Sequence, residues 1–262
     1  MKTLFARFGL VLTLAPFSAF AVDGVVLINQ ATVTSAGGFP YVIATPGSYK
    51  LSGNLNVPAG KDGIQIHSSD VSLDLNGFTI AGAETTGPGF GIASPSQNIT
   101  LRNGAITNFS VGVFATGSGM LDGIHAGSNG TGIVVMDCSG QSTFFSAAAL
   151  AACTAGGYSS SSTGFIIVHC SANLNHGDGF EVWNSTVSDS MANRNSGIGF
   201  YATASSIVHN IANGNLAGAS DKLLPYASLF GSNTFLNNTN ANLISFASQS
   251  NNLASSIPNN LQ

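Results

Sequence analysis

Five times the chain writes Ala-x-x-Asn, with a Gly two to four residues after each Asn and mostly apolar residues beyond it. The pairs are Ala105–Asn108, Ala126–Asn129, Ala172–Asn175, Ala192–Asn195 and Ala212–Asn215, and Phe235–Asn238 keeps the spacing with a larger first member. The last three Ala pairs step by 20 residues and the first two by 21. A fixed period of this size predicts one supersecondary unit stacked on copies of itself. The unit is too short, and too rich in Gly, Ser and Asn, for a pair of helices. It has room for two or three short strands joined by sharp turns.

Strands stacked in parallel sit about 4.8 Å apart, so each repeat position becomes a row along the stack. The row Asn108, Asn129, Asn175, Asn195, Asn215 and Asn238 predicts an inward ladder in which each side-chain amide serves the next coil. Unpaired, each of those groups would cost about 1–3 kcal/mol. The Ala row is expected inside, where the coil is narrow. The following Gly residues suit turns with φ > 0. Gly179-Phe180-Glu181-Val182 and Gly197-Ile198-Gly199-Phe200 then read as strands with alternate residues inside.

These repeats, with Asp74-Leu75-Asn76-Gly77-Phe78-Thr79-Ile80 and Ile99-Thr100-Leu101-Arg102-Asn103-Gly104, resemble the right-handed parallel β-helix proteins. The likeness is to the pectate-lyase-like superfamily and its secreted, carbohydrate-associated repeat members. It covers about residues 45–247. It implies an all-β, single-stranded, right-handed solenoid. It does not imply one activity, because that superfamily holds lyases, hydrolases, epimerases and adhesins. If the chain is an enzyme, the resemblance implies a polysaccharide lyase or glycoside-hydrolase-like activity. Lyases of that kind use acidic calcium clusters with an Arg or Lys. No dense Asp cluster is visible here, and Arg102 and Arg194 lie several coils apart, so neither calcium nor any other cofactor or metal is assigned.

Residues 1–21 read as a secretory signal: Lys2 and Arg7, an apolar run from Leu10 to Phe17, then Ala19-Phe20-Ala21. The expected location is therefore secreted, periplasmic or cell-surface, with no membrane span in the mature chain. Residues 22–48 form a lead-in that would cap the first coil. Residues 49–247 form the β-helix, with insertions near 137–163 and 217–231, and 248–262 form a tail. Charged residues are 7% of the chain and acids outnumber bases. Nucleic-acid binding needs clustered cations and is excluded. A neutral, hydroxyl-rich surface suits a polysaccharide or glycan partner, or self-association. Cys138 and Cys153 bracket an insertion, and a disulfide between them would close a loop of about 15 residues. Cys138 and Cys170 could instead be small buried residues. Cys170 falls in an inward column with Ser190 and Asn210.

Two groups carry candidate chemistry. His169, Asp189 and His209 share one column at 20-residue steps, which would suit acid–base work or a two-His, one-acid metal site. The plainer reading is a polar surface row. Glu181, Asp178 and Asp189 could supply a carboxylate pair. Trp183 and Tyr201 follow their Gly turns at matched places and are expected to point outward as a platform for sugar rings; the competing expectation is packing beneath a loop. Asp178, on a neighbouring strand or turn, and Arg194, beside the Asn ladder, are further substrate-binding candidates, Arg194 toward a uronate. The function expected is an exported β-helix protein that contacts polysaccharide, with weak processing as an extension. The alternative is a non-catalytic structural or adhesive surface protein.

Overall fold

The 20-residue period closes as a three-sided coil. Left-handed backbone occurs at Arg194, Ala204, His209 and Gly214, so ten residues span one side and five span each of the other two. The long side carries strands such as Ile198–Thr203, and the short sides carry Ser206–Val208 and Ile211–Asn213. Each strand pairs in parallel with its counterpart one coil away, as in Phe180↔Phe200, Val187↔Ile207 and Ala192↔Ala212. Among the described residues nine strands, from Tyr41–Ile43 to Ala241–Ile244, form the long side, and 17 form the two short sides together. Ile99–Thr107 and Gly119–Gly127 run through the corner and pair on both short sides. The structure, a computed structural model, describes residues 24–85, 89–136, 164–221, 228–239, 241–244, 248–250 and 253–254. It is an all-β, right-handed parallel β-helix.

The corners explain the repeat. At each one, a residue with positive φ throws its side chain outward, and the next residue points in. Three inward ladders result. The first runs Asn129, Asn175, Asn195, Asn215, Asn238. The Asn195 backbone N–H donates to Asn215 Oδ1 at 3.0 Å and the Asn195 amide to the same oxygen at 2.8 Å. That amide also donates to the Ala172 carbonyl at 3.0 Å, and Asn215 repeats the bond to Ala192 at 2.8 Å. Ala-x-x-Asn is therefore a cross-coil device: Asn175, Asn195, Asn215 and Asn238 each bond the carbonyl of the Ala one coil before, and Asn129 bonds that of Ile106. The second ladder is Cys170, Ser190, Asn210, Asn233, and the third is Ser185, Ser205, Ser228.

Asn108 departs from the expected ladder. It is exposed, with φ 60°, and occupies the corner itself. Phe109 takes the inward place, and its N–H donates to Asn129 Oδ1 at 3.0 Å. Ile106, not Ala105, pairs with Ala126. The first Ala-x-x-Asn is thus one residue out of phase with the others.

The Gly residues also differ from expectation. Gly112, Gly132, Gly179 and Gly199 are not left-handed. They open the long side where it faces the Ala row. A Cβ on Gly199 would lie 2.5 Å from the Gly218 carbonyl oxygen and 3.0 Å from Ala212 Cβ, and Gly132 meets the same limit against Gly179 and Ala172. Small residues are required on both sides of this narrow waist. Elsewhere the interior is filled by rows of Ile, Leu, Val and Phe; Phe180 and Phe200 stack with centroids 5.0 Å apart.

The stack extends beyond the expected ends. Val25–Ile28 pairs with Gly47–Leu51, and Asn29 caps the helix Gln30–Ser35, which buries Val33. Ser248–Ser250 and Leu253–Ala254 pair with Leu229–Gly231 and Thr234–Leu236. Ala217–Asp221 and Leu229–Gly231 keep the coil register on both sides of residues 222–227. Those six residues, and the insertion 137–163 with Cys138 and Cys153, lie outside the described residues.

Candidate functional site

The column His169, Asp189, His209 is real in register but has a backbone cause. All three are corner residues, with φ 51°, 50° and 56°, and Ser232 at 53° continues the column. His, Asp and Asn tolerate the left-handed region better than most residues. Each is followed by an inward ladder residue: Cys170, Ser190 and Asn210. His169 turns away from Asp189. Its Nδ1 lies 3.1 Å from Asp122 Oδ1, one coil earlier. No group of three or more His, Cys, Asp or Glu side chains among the described residues is placed to hold a metal ion.

Following His169 to Asp122 exposes a row absent from the sequence reading. Lys50, Asp74, Arg102 and Asp122 stand opposite one another on four successive coils, outward on one short side. Their charges alternate. Arg102 Nε lies 3.2 Å from Asp74 Oδ2, and the Arg102 side chain is 49% exposed. The Asn103 amide donates to Asp74 Oδ1 at 3.3 Å. Beyond Asp122 the row passes to His169, which is 68% exposed. Across the Gly123 corner, His125 Nδ1 is 2.7 Å from Ser171 Oγ. Opposite charges directly across strands help hold register. The same edge presents exposed carboxylate, guanidinium, imidazole and hydroxyl groups at steps of about 4.8 Å. The signal was available in Arg102 and Asp122, 20 residues apart, but the misphased Ala105–Asn108 pair and the 137–163 insertion hid their alignment with His169.

The expected aromatic platform is not formed. Glu181, not Trp183, pairs with Tyr201, and Trp183 pairs with Thr203. The expectation aligned Gly179 with Gly197, two residues out of register. Gly179 and Gly199 hold the matching places. Trp183 is 1% exposed, so it is a packing residue and offers no ring to a ligand. Tyr201 is half-buried beside Glu181 on the outer row of the long side. Burial, and then the carboxylates of Glu181 and Asp178, hold its hydroxyl above the ordinary tyrosine value. Farther along this row Phe114 and Val134 are buried although they alternate outward.

The remaining candidates separate. Asp178 Oδ1 accepts the Ile198 N–H of the next coil at 2.6 Å, as Asp62 accepts the Phe90 N–H at 2.8 Å. These acids hold coil to coil. Asp189 lies between two short sides and Glu181 on the long one, so they do not form a carboxylate pair. Arg194 is an exposed corner residue beside Gly214.

No protein-family model matches the chain, and no curated protein matches it in sequence. Solved structures match it in shape. The Dettilon tailspike protein superposes with a TM-score of 0.54 at 14% identity, over 81% of this chain and 47% of that one. A periplasmic alginate epimerase gives 0.43 at 11% identity, over 88% and 73%. An alginate lyase from Paenibacillus sp. gives 0.43 at 13%, over 91% and 98%. At these identities the likeness is one of fold. The chain spans about half the length of the tailspike protein it matches.

Proposed function

We propose that this chain is an exported polysaccharide-binding β-helix whose contact surface is the edge formed by Asp74, Arg102, Asp122 and His169. The observation that carries the reading is the linear row itself. A chain with 7% charged residues sets four of them, Lys50, Asp74, Arg102 and Asp122, opposite one another along its axis, with an exposed guanidinium among them. A rigid row of polar groups suits an extended polymer better than a compact ligand, because little side-chain or backbone freedom is lost on binding. Sugar hydroxyls can donate to the carboxylates and accept from Arg102. Export rests on residues 1–21. No helix of the described residues is long and apolar enough to cross a membrane.

A second reading, self-association of a structural or adhesive protein, is favoured by one feature. Met191 and Ile211, each 39% exposed, stand opposite each other on a short side. A glycan-array screen of the full chain separates the two. Glycan signals that Asp122→Asn removes are expected. Concentration-dependent oligomers with a blank array would favour the second reading. Because Trp183 is buried, its fluorescence is a poor reporter for this test.

A further inference from the structure

Charge on the edge bears on which class of polymer fits it. Resting on the proposed polysaccharide contact, we propose that the polymer is neutral: a hydroxyl-rich glycan without carboxylate or sulfate groups. Past residue 21 the cations are Lys50, Lys61, Arg102, Arg194 and Lys222, against 11 acids. The edge holds two of those cations, and acids answer both. Arg102 is bonded to Asp74 at 3.2 Å, and Lys50 stands opposite Asp74 one coil earlier. Asp122 faces Arg102 from the other side and holds His169 at 3.1 Å.

A polyuronate would bring a carboxylate on every sugar to this edge. It would find the guanidinium already paired with Asp74, one further carboxylate, Asp122, beside it, and no net positive charge along the row to draw it in. On the long side Tyr201, its hydroxyl held protonated first by burial and then by the carboxylates of Glu181 and Asp178, is a neutral donor. A neutral glycan needs no such attraction. Its hydroxyls donate to Asp74 and Asp122 in charge-assisted hydrogen bonds, and Arg102 donates to a hydroxyl or ring oxygen without leaving Asp74. Ser171 and His125, across the corner, add donors and acceptors of no fixed charge.

The test compares the full chain against soluble galactomannan, which is neutral, and polygalacturonate, which is anionic, by affinity electrophoresis. Each is run at low salt and at about 0.5 M salt, where charge–charge attraction is screened to a few ångströms. Galactomannan is expected to retard the protein, with less than about a twofold change on adding salt. Binding of polygalacturonate that salt abolishes overturns the neutral class and leaves the proposed function standing. Retardation by neither, with a blank glycan array, overturns the proposed function itself. Asp122→Asn is nearly isosteric and should weaken galactomannan binding by about tenfold, at an unchanged melting temperature. Unchanged binding takes the polymer off this edge. Should that variant lose stability, Arg102→Gln, on the more exposed side chain, repeats the measurement.

Discussion

Asn195 shows at one residue how the fold is held. Its amide donates to the Ala172 carbonyl and to Asn215, while its oxygen accepts from the Asn175 N–H and the Asn175 amide. Leu at this place removes all four bonds at once. Asn195→Leu is expected to cost about 1–3 kcal/mol for each buried partner left unpaired. Thr186→Ala, on an exposed position one side away, should be near neutral. Urea midpoints compare them, and equal midpoints would remove the ladder's energetic role. Cys170 makes a second test in the neighbouring ladder. Its thiol is pushed up from the ordinary 9.0 to about 12, by burial first; Asp122 adds to the rise and backbone hydrogen bonds oppose it. A folded-state value above the unfolded one means that the contribution is complete below pH 9 and is lost as pH climbs toward about 12. Between about pH 8 and 11, wild-type stability should fall more steeply than that of Cys170→Ala. Parallel slopes would contradict the burial of this thiol.

At the scale of the element, the long-side strand begins with a constraint and continues with an alternation. Gly199 must be small because the next coil's carbonyl and Ala212 occupy the space a side chain would take. Phe200 then fills the interior, and Tyr201 turns outward beside Glu181. Gly199→Ala is expected to destabilise by about 1–3 kcal/mol through overpacking, since the Gly218 carbonyl and the Ala212 methyl must give. Gly53→Ala, whose added Cβ would meet nothing closer than 3.8 Å, serves as control. Thermal midpoints of the two variants check this, and a Gly199 variant as stable as wild type would mean that the waist can relax. The short-side strands follow a different rule. Three residues with the middle one inside, as in Met191-Ala192-Asn193, leave two outward positions whose identities the fold barely restricts. The charged row occupies positions of this kind.

At the scale of the whole molecule, each coil touches chiefly the coils before and after it. Stability is then close to a sum over coils and their interfaces. Deleting Thr186–Ser205 removes one 20-residue turn and brings Ser185 to the place of Ser205, in register with Ser228. The shortened chain is expected to keep a β-rich circular-dichroism spectrum and a cooperative melt at a lower midpoint. Failure to fold would show that the coils are not interchangeable. The same one-dimensional order aligns the charges of distant sequence positions. Lys50 and Asp122 lie 72 residues apart in sequence yet on one straight row, because Asp74 and Arg102 carry the register between them.

The period, the inward Asn and Ala rows and the parallel solenoid were legible in the sequence, because a stack repeats its demands at every coil and polar burial allows few substitutes. Cys170, Ser190 and Asn210 could be placed in one inward column on the same ground. Phase was less legible. Asn108 is a good left-handed corner residue as well as a good ladder residue, and Gly197 imitates the constrained Gly199 two places later, which displaced Trp183 from its neighbour Thr203. The partner of His169 could not be found from spacing alone, because an insertion of no fixed length separates it from Asp122. Register across that insertion is decided by backbone pairing of Asp122 with Val168, a tertiary fact. Composition and period thus determined the architecture, and the closing of each coil on the next decided which outward side chains meet.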